Sequence, residues 1–188
     1  MKTLKKTSRL RTIKINRSMT SHTDTGFQIR NADKTDVHVI STLAHAIWPD
    51  TYAGILNEAQ LKYMLDYFYS EESLKKQMDE GHHFLLALSN AETVGFASFS
   101  HSNKSGVYKI HKLYVHPMLH GHGFGKKLID RIIKDIKPKG ATRLSLNVNR
   151  NNRAISFYEK YGFKKTGEED VPIGEGFFQN DNVMEMDI

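Results

Sequence analysis

The chain has 188 residues, 39% of them hydrophobic and 26% charged, which suits one soluble domain with enough apolar material for a core. It contains no cysteine, so disulfides, thiolate nucleophiles and thiolate metal sites are excluded, and an intracellular, cytoplasmic setting is expected. The longest apolar run, Phe84 to Leu88, falls far short of the roughly 18 residues a bilayer-spanning helix needs, so no membrane partner is expected.

The net charge of +6 sits at one end. Lys2, Lys5, Lys6, Arg9, Arg11, Lys14 and Arg17 occur with no acid among them, leaving 20 basic against 21 acidic residues in the remainder. Residues 1–26 are therefore read as a basic, disordered tail and residues 27–188 as the folded domain, with no nucleic-acid partner expected for the near-neutral body. An organellar transit segment and a start at Met19 both stay open.

The body opens with a short strand at "FQIRN", after which Asp33 is expected to cap a helix carrying Val37, Ile40, Leu43 and Ile47 on one face, stopped by Pro49. Asn57, with Gln60 three residues on, caps a second helix bearing Leu61, Met64, Leu65 and Phe68. Ser70 starts a short third helix that runs through Met78 and ends at Gly81. "HFLLALSNAETVGFASFS" reads as two strands around a turn, and "GVYKIHKLYVHP" as a third strand closed by Pro117. From Gly125 the period changes: Leu128, Ile129, Ile132, Ile133 and Ile136 form one face of an amphipathic helix that Pro138 stops. A strand at "TRLSLNVNR", a short helix at "NRAISFYEKYG" and strands around "FKKTGE" and "NVMEMDI" complete the chain.

Between the third strand and the amphipathic helix stands "HGHGFGK", glycine at every second position. The first amides of a helix lack intrahelical acceptors and carry the positive end of its dipole, and glycines let that backbone approach a phosphate. Two nucleotide motifs fail by letter. A P-loop would need glycine at His120 and Ser or Thr at Lys127, and a dinucleotide fingerprint needs a G-x-G-x-x-G spacing that is absent.

The stretch "KLYVHPMLHGHGFGKKLID" followed by "NNRAISFYEKYGF" resembles the GCN5-related N-acetyltransferases, the GNAT superfamily, over roughly residues 27–188. The pattern departs at His120, where the family usually carries Arg or Gln. The resemblance implies an α/β fold whose mixed, mostly antiparallel central sheet has a splayed central strand pair and flanking helices. It implies acetyl-CoA as cosubstrate, with the backbone of Leu113, Tyr114 and Val115 pairing with the pantetheine arm. The amides of His120, Gly121, His122, Gly123, Phe124, Gly125 and Lys126 are then expected to cradle the diphosphate. Asn151 bonds the pantetheine chain in this scheme, and Lys160 either reaches a CoA phosphate or is simply solvated.

Acetyl transfer needs the amine deprotonated and the departing thiolate protonated. Tyr158 stands at the family's acid position. His111, expected on the face of Leu113, is the candidate base, with ordered water as the alternative. The spacing of His116, His120 and His122 across Pro117 and a turn is poor for a metal, and none is expected. The acceptor is expected against the irregular segments "WPDTYAGIL" and "EEDVPIGEGFF", where Trp48, Tyr52 and Phe177 pack its hydrocarbon while Asp50, Glu168, Glu169, Asp170 and Glu175 attract its charge. The layout is similar to bacterial polyamine or diamine acetyltransferases, which points to a small polyamine acceptor and leaves a peptide amine, a silent acetyl-CoA-binding module and a homodimer open.

Overall fold

The computed structural model describes residues 26–188, so the expectations for the basic tail and for Met19 lie outside the described residues. The elements are β1 (Phe27–Asn31), α1 (Val37–Thr51), α2 (Glu58–Tyr69), α3 (Glu71–Asp79), β2 (His83–Ser89), β3 (Glu92–His101), β4 (Val107–Val115), α4 (Phe124–Ile136), β5 (Arg143–Asn149), α5 (Ile155–Tyr161), β6 (Lys164–Gly174) and β7 (Phe177–Asp187). One sheet holds all seven strands in the order β1-β2-β3-β4-β5-β7-β6. Among the described strands only β4 and β5 run parallel, joined by the α4 crossover.

The sheet separates two apolar layers. On one face α4 lays Leu128, Ile129, Ile132 and Ile136 against Leu85, Ala97, Phe99, Leu144 and Leu146. On the other, α1, α2 and α3 bring Ile40, Ile47, Trp48, Leu65 and Leu74 onto Phe84, Leu86 and Phe96. The expected caps at α2 and α3 are present: the Asn57 side chain accepts from the Gln60 amide at 2.8 Å and Ser70 from the Ser73 amide at 3.3 Å.

Three local expectations are corrected. Asp36, not Asp33, stands at the start of α1, and its carboxylate takes both guanidinium donors of Arg30 at 2.7 Å, while Asp33 turns to its own Thr35. Pro49 lies inside α1, which runs on to Thr51, because a proline near a helix end deprives only one exposed carbonyl, that of His45, of its donor. The segment "EEDVPIGEGFF" is mostly strand: β6 and β7 form a long hairpin that turns at Glu175 and Gly176, both at positive φ (51° and 76°). Gly167, Pro172 and Gly174 hide its alternation, and the register shifts at Lys165/Gly167 and at Pro172/Gly174.

The sheet opens in the middle. β4 pairs with β5 only from Val107 to Ile110, opposite Arg143 to Leu146, and beyond that the two strands are unpaired. The cause lies in β4, where Phe99 faces Ile110 and Ser98 faces Lys112, leaving His111 as the extra residue of a bulge. β3 holds the far side of β4 through Val115. There Gly95 lets the strands come so close that a Cβ would meet the Tyr114 carbonyl at 2.7 Å and the Val115 Cα at 3.2 Å. Gly95→Ala is expected to cost about 1–3 kcal/mol of unfolding free energy in urea titration, because backbone rather than a flexible side chain must shift.

Candidate active site

A cleft of about 1610 Å³ passes through the opening, from the glycine loop on the α4 side to Trp48, Tyr52 and Tyr69 on the other. The glycines of the loop serve two ends. Gly121 and Gly123 hold left-handed backbone (φ 84° and 78°), and among the described residues a Cβ on either would meet nothing within 4 Å beyond its own chain neighbours. Gly125 has an ordinary φ, but a Cβ there would press on the Phe157 ring at 3.2 Å, so it sets how closely the first turn of α4 approaches α5.

Gly123 caps α4 with no side chain, the first turn holds no acid, and the first intrahelical bond runs from the Lys127 amide to the Gly123 carbonyl at 3.0 Å. The amides of Gly121, Gly123, Phe124, Gly125 and Lys126 find no acceptor among the described residues. That array fits a diphosphate: convergent donors, positive dipole end and no side chain in the approach. Two amides of the expected cradle are engaged within the loop. The His120 amide is already bonded to the Pro117 carbonyl at 3.1 Å and the His122 amide to Leu119 at 3.4 Å. The His120 ring folds back, Nε2 donating to the Val115 carbonyl at 2.9 Å, and the Lys126 ammonium pairs with Asp130 at 2.8 Å.

Tyr158 comes from α5 and lines the cleft between Phe157 and Phe163, and no described residue meets its hydroxyl. On the opposite side the Tyr52 ring lies tilted against Trp48 with centroids 4.6 Å apart, and its hydroxyl lies 3.1 Å from that of Tyr114. Burial raises the phenols of Tyr52, Tyr69, Tyr114 and Tyr158 above their ordinary range, so each stays protonated at working pH.

His111 does not share the face of Leu113. The bulge flips it to the α1–α3 side, where Nε2 lies 2.8 Å from Ser100 Oγ and the ring stacks on His82 at 4.1 Å. Desolvation, then the neighbouring His82, Lys112 and Lys109, push its pKa down to about 3. Two charged residues that sequence reasoning passed over stand on the same side. Asp181 on β7 is buried, with no partner for its carboxylate among the described residues, and burial pushes its pKa up to about 6 against the opposing pull of Lys109. Lys112 on β4 is buried too, and burial lowers its ammonium to about 8.

Of the other expected residues, Leu113, Tyr114, Val115, Asn151, Trp48, Tyr52 and Asp50 line the cleft. Lys160 is exposed on α5 and does not line it. Glu175 and Phe177 belong instead to a shallow depression beside Tyr63, because they lie at the hairpin turn; their neighbour Phe178 reaches the cleft. Glu168, Glu169 and Asp170 are engaged along the sheet edge by Arg150, Lys165 and Asn147. Among the described residues no group of three His, Cys, Asp or Glu is gathered to hold a metal ion, and no helix is long and apolar enough to cross a membrane.

A parallel strand pair that parts beside a bare helix entrance, with a tyrosine at the gap, suits an extended ligand that carries phosphate at one end. Residues 52–178 match the family model described as an acetyltransferase (GNAT) domain, and the chain belongs to that family of acetyl-CoA-dependent acetyltransferases. It is 30% identical to a spermidine N(1)-acetyltransferase of Thermoplasma acidophilum over 73% of this chain and 88% of that protein. It is 32% identical to an aminoalkylphosphonate N-acetyltransferase of Salmonella typhimurium over 71% of this chain and 91% of that protein. Among solved structures, the PaiA N-acetyltransferase of Thermoplasma acidophilum in complex with coenzyme A superposes with a TM-score of 0.73 at 27% identity, covering 86% of this chain and 99% of that one.

Proposed function

We propose that the protein moves the acetyl group of acetyl-CoA to a primary amine of a small molecule, by direct attack in a ternary complex. The observation that carries this reading is the passage through the sheet: carrier and acceptor can enter from opposite faces and meet at the β4/β5 gap. A chain with no cysteine offers no thiol for an acyl-enzyme, which favours a single displacement.

A free alkyl amine is protonated at neutral pH, so a proton must leave before nitrogen can attack. His111, with its basicity depressed, is a weak acceptor for that proton, and we assign the step to Asp181, whose raised pKa lies closer to the working range. The freed lone pair attacks the acetyl carbon, the C–N bond forms, the C–S bond breaks, and the Tyr158 hydroxyl gives its proton to the thiolate. The nitrogen, which still carries one proton more than an amide, passes it through water to the Tyr158 phenolate, and Asp181 returns the proton it took to solvent.

Separate observations favour two acceptor classes. Asp50, Asp66, Glu72, Glu80 and Asp181 along the cleft, with the spermidine-acetylating relative, favour the polyamine expected from the sequence. The buried cation Lys112, with the aminoalkylphosphonate-acetylating relative, favours an amine that also carries an acid group.

Thiol release over a panel of amines tests the reaction; acetyl-CoA binding without turnover on any amine would identify a silent binding module instead. Tyr158→Phe is expected to lower kcat about 100-fold while the KM for acetyl-CoA moves little. Asp181 is protonated, and unable to accept, below about pH 6. The wild-type rate should therefore gain a limb as pH rises through about 6, and Asp181→Asn should remove that limb and cost about 100-fold in kcat/KM. An unchanged profile in Asp181→Asn would return the proton to water.

A further inference from the structure

Among the described residues Lys112 is the one buried cation of the cleft, and amine acetylation by itself leaves it without a task. It is 7% exposed and lines the cleft, and its ammonium stands 5.1 Å from the centre of the Tyr69 ring. Among the described residues no carboxylate or other hydrogen-bond acceptor meets it, whereas buried charges are ordinarily paired. Its surroundings offer donors. Ser98 lies directly across from it on β3 with a buried hydroxyl that has no partner, and His82, beside His111, has a buried Nδ1 in the same condition. Glu80, the acid on the cleft wall that acts on the neighbouring His82, is drawn toward Lys76 at 3.8 Å.

Register fixes where Lys112 stands relative to Asp181. Ile110 is level with Leu146, and Leu146 with Met184. With His111 as the extra residue of the bulge, Lys112 is one strand step past Ile110, level with Asn147 and Val183 and two residues short of Asp181. Both side chains belong to the α1–α3 face, on opposite banks of the gap. Two strand spacings, roughly 10 Å, separate β4 from β7 before the splay widens the distance. An unpartnered ammonium and an unpartnered carboxylate thus face one opening from opposite banks, two residues apart along the strands, the reverse image of a molecule with an acid at one end and an amine at the other.

We infer that the acceptor is an aminoalkyl acid, a carboxylate or phosphonate, whose acid oxygens are taken by Lys112 while its amine end is held at Asp181. The inference rests on the amine-acetylation reading and narrows it. A polyamine would instead bring a second ammonium against Lys112.

The test compares ε-aminocaproate, aminoethylphosphonate, hexylamine and spermidine as acceptors in thiol release, with wild type, Lys112→Met and Lys112→Arg. Wild type is expected to favour ε-aminocaproate over hexylamine by at least about tenfold in kcat/KM, mostly through KM. Lys112→Met should bring that ratio close to one, and Lys112→Arg should retain most of it. A melting curve guards against misfolding, since removing an unpaired buried charge should leave the melting temperature of Lys112→Met equal or higher. If wild type prefers spermidine or hexylamine, or Lys112→Met keeps the acid preference, the acceptor assignment falls while amine acetylation stands. If no amine releases thiol, both fall.

Discussion

The structure depends on a pairing that stops. From Val107 to Ile110, β4 and β5 are held as a parallel pair in the middle of a seven-stranded sheet; one residue later the hydrogen bonds end. Unpaired backbone in the centre of a sheet is costly unless something else satisfies it. Here the gap-facing backbone of Leu113 and the Val115 amide form an edge that an amide-bearing arm can join as an added strand, the Val115 carbonyl being held by His120. The His111 bulge bends β4, β3 anchors it from behind, and Gly95 makes that anchoring close. The glycine loop then follows directly from the end of β4, so the helix entrance opens at the mouth of the same gap.

Polarity is divided across the gap. On the α4 side the available groups are main-chain amides, which suit phosphate oxygens and change little with pH. On the α1–α3 side they are side chains: phenols that stay protonated, a neutral histidine pair, Asp181 and Lys112. Burial shifts the carboxylate up and the ammonium down, each toward its neutral form, so an oppositely charged ligand group restores the charge that desolvation opposes.

Much of this was legible in the sequence, and the omissions have physical causes. The change of period from "KIHKLYV" to the α4 face marked a strand, a turn and a helix, because glycine spacing and apolar periodicity are local signals. The bulge left a weaker trace: the apolar positions step by two from Tyr108 to Ile110 and by three from Ile110 to Leu113, and that extra residue turns His111 away from its expected face. The length of β6 and β7 was masked by Gly167, Pro172 and Gly174, so residues that belong to a hairpin read as a loop. Asp181 and Lys112 were missed because single charged letters in strands carry no periodicity of their own. Asn182, Met184 and Met186 alternate toward one face, and only that alternation could have turned Asp181 toward the cleft.

The most direct test of the central claim is amide hydrogen exchange with and without saturating coenzyme A. If the gap is the carrier's berth, exchange should slow at Leu113 to Val115 and at Gly121 through Lys126, while β1 and the turn of the β6–β7 hairpin change little. Protection confined to other segments, with those amides exchanging as fast as in the free protein, would contradict the account.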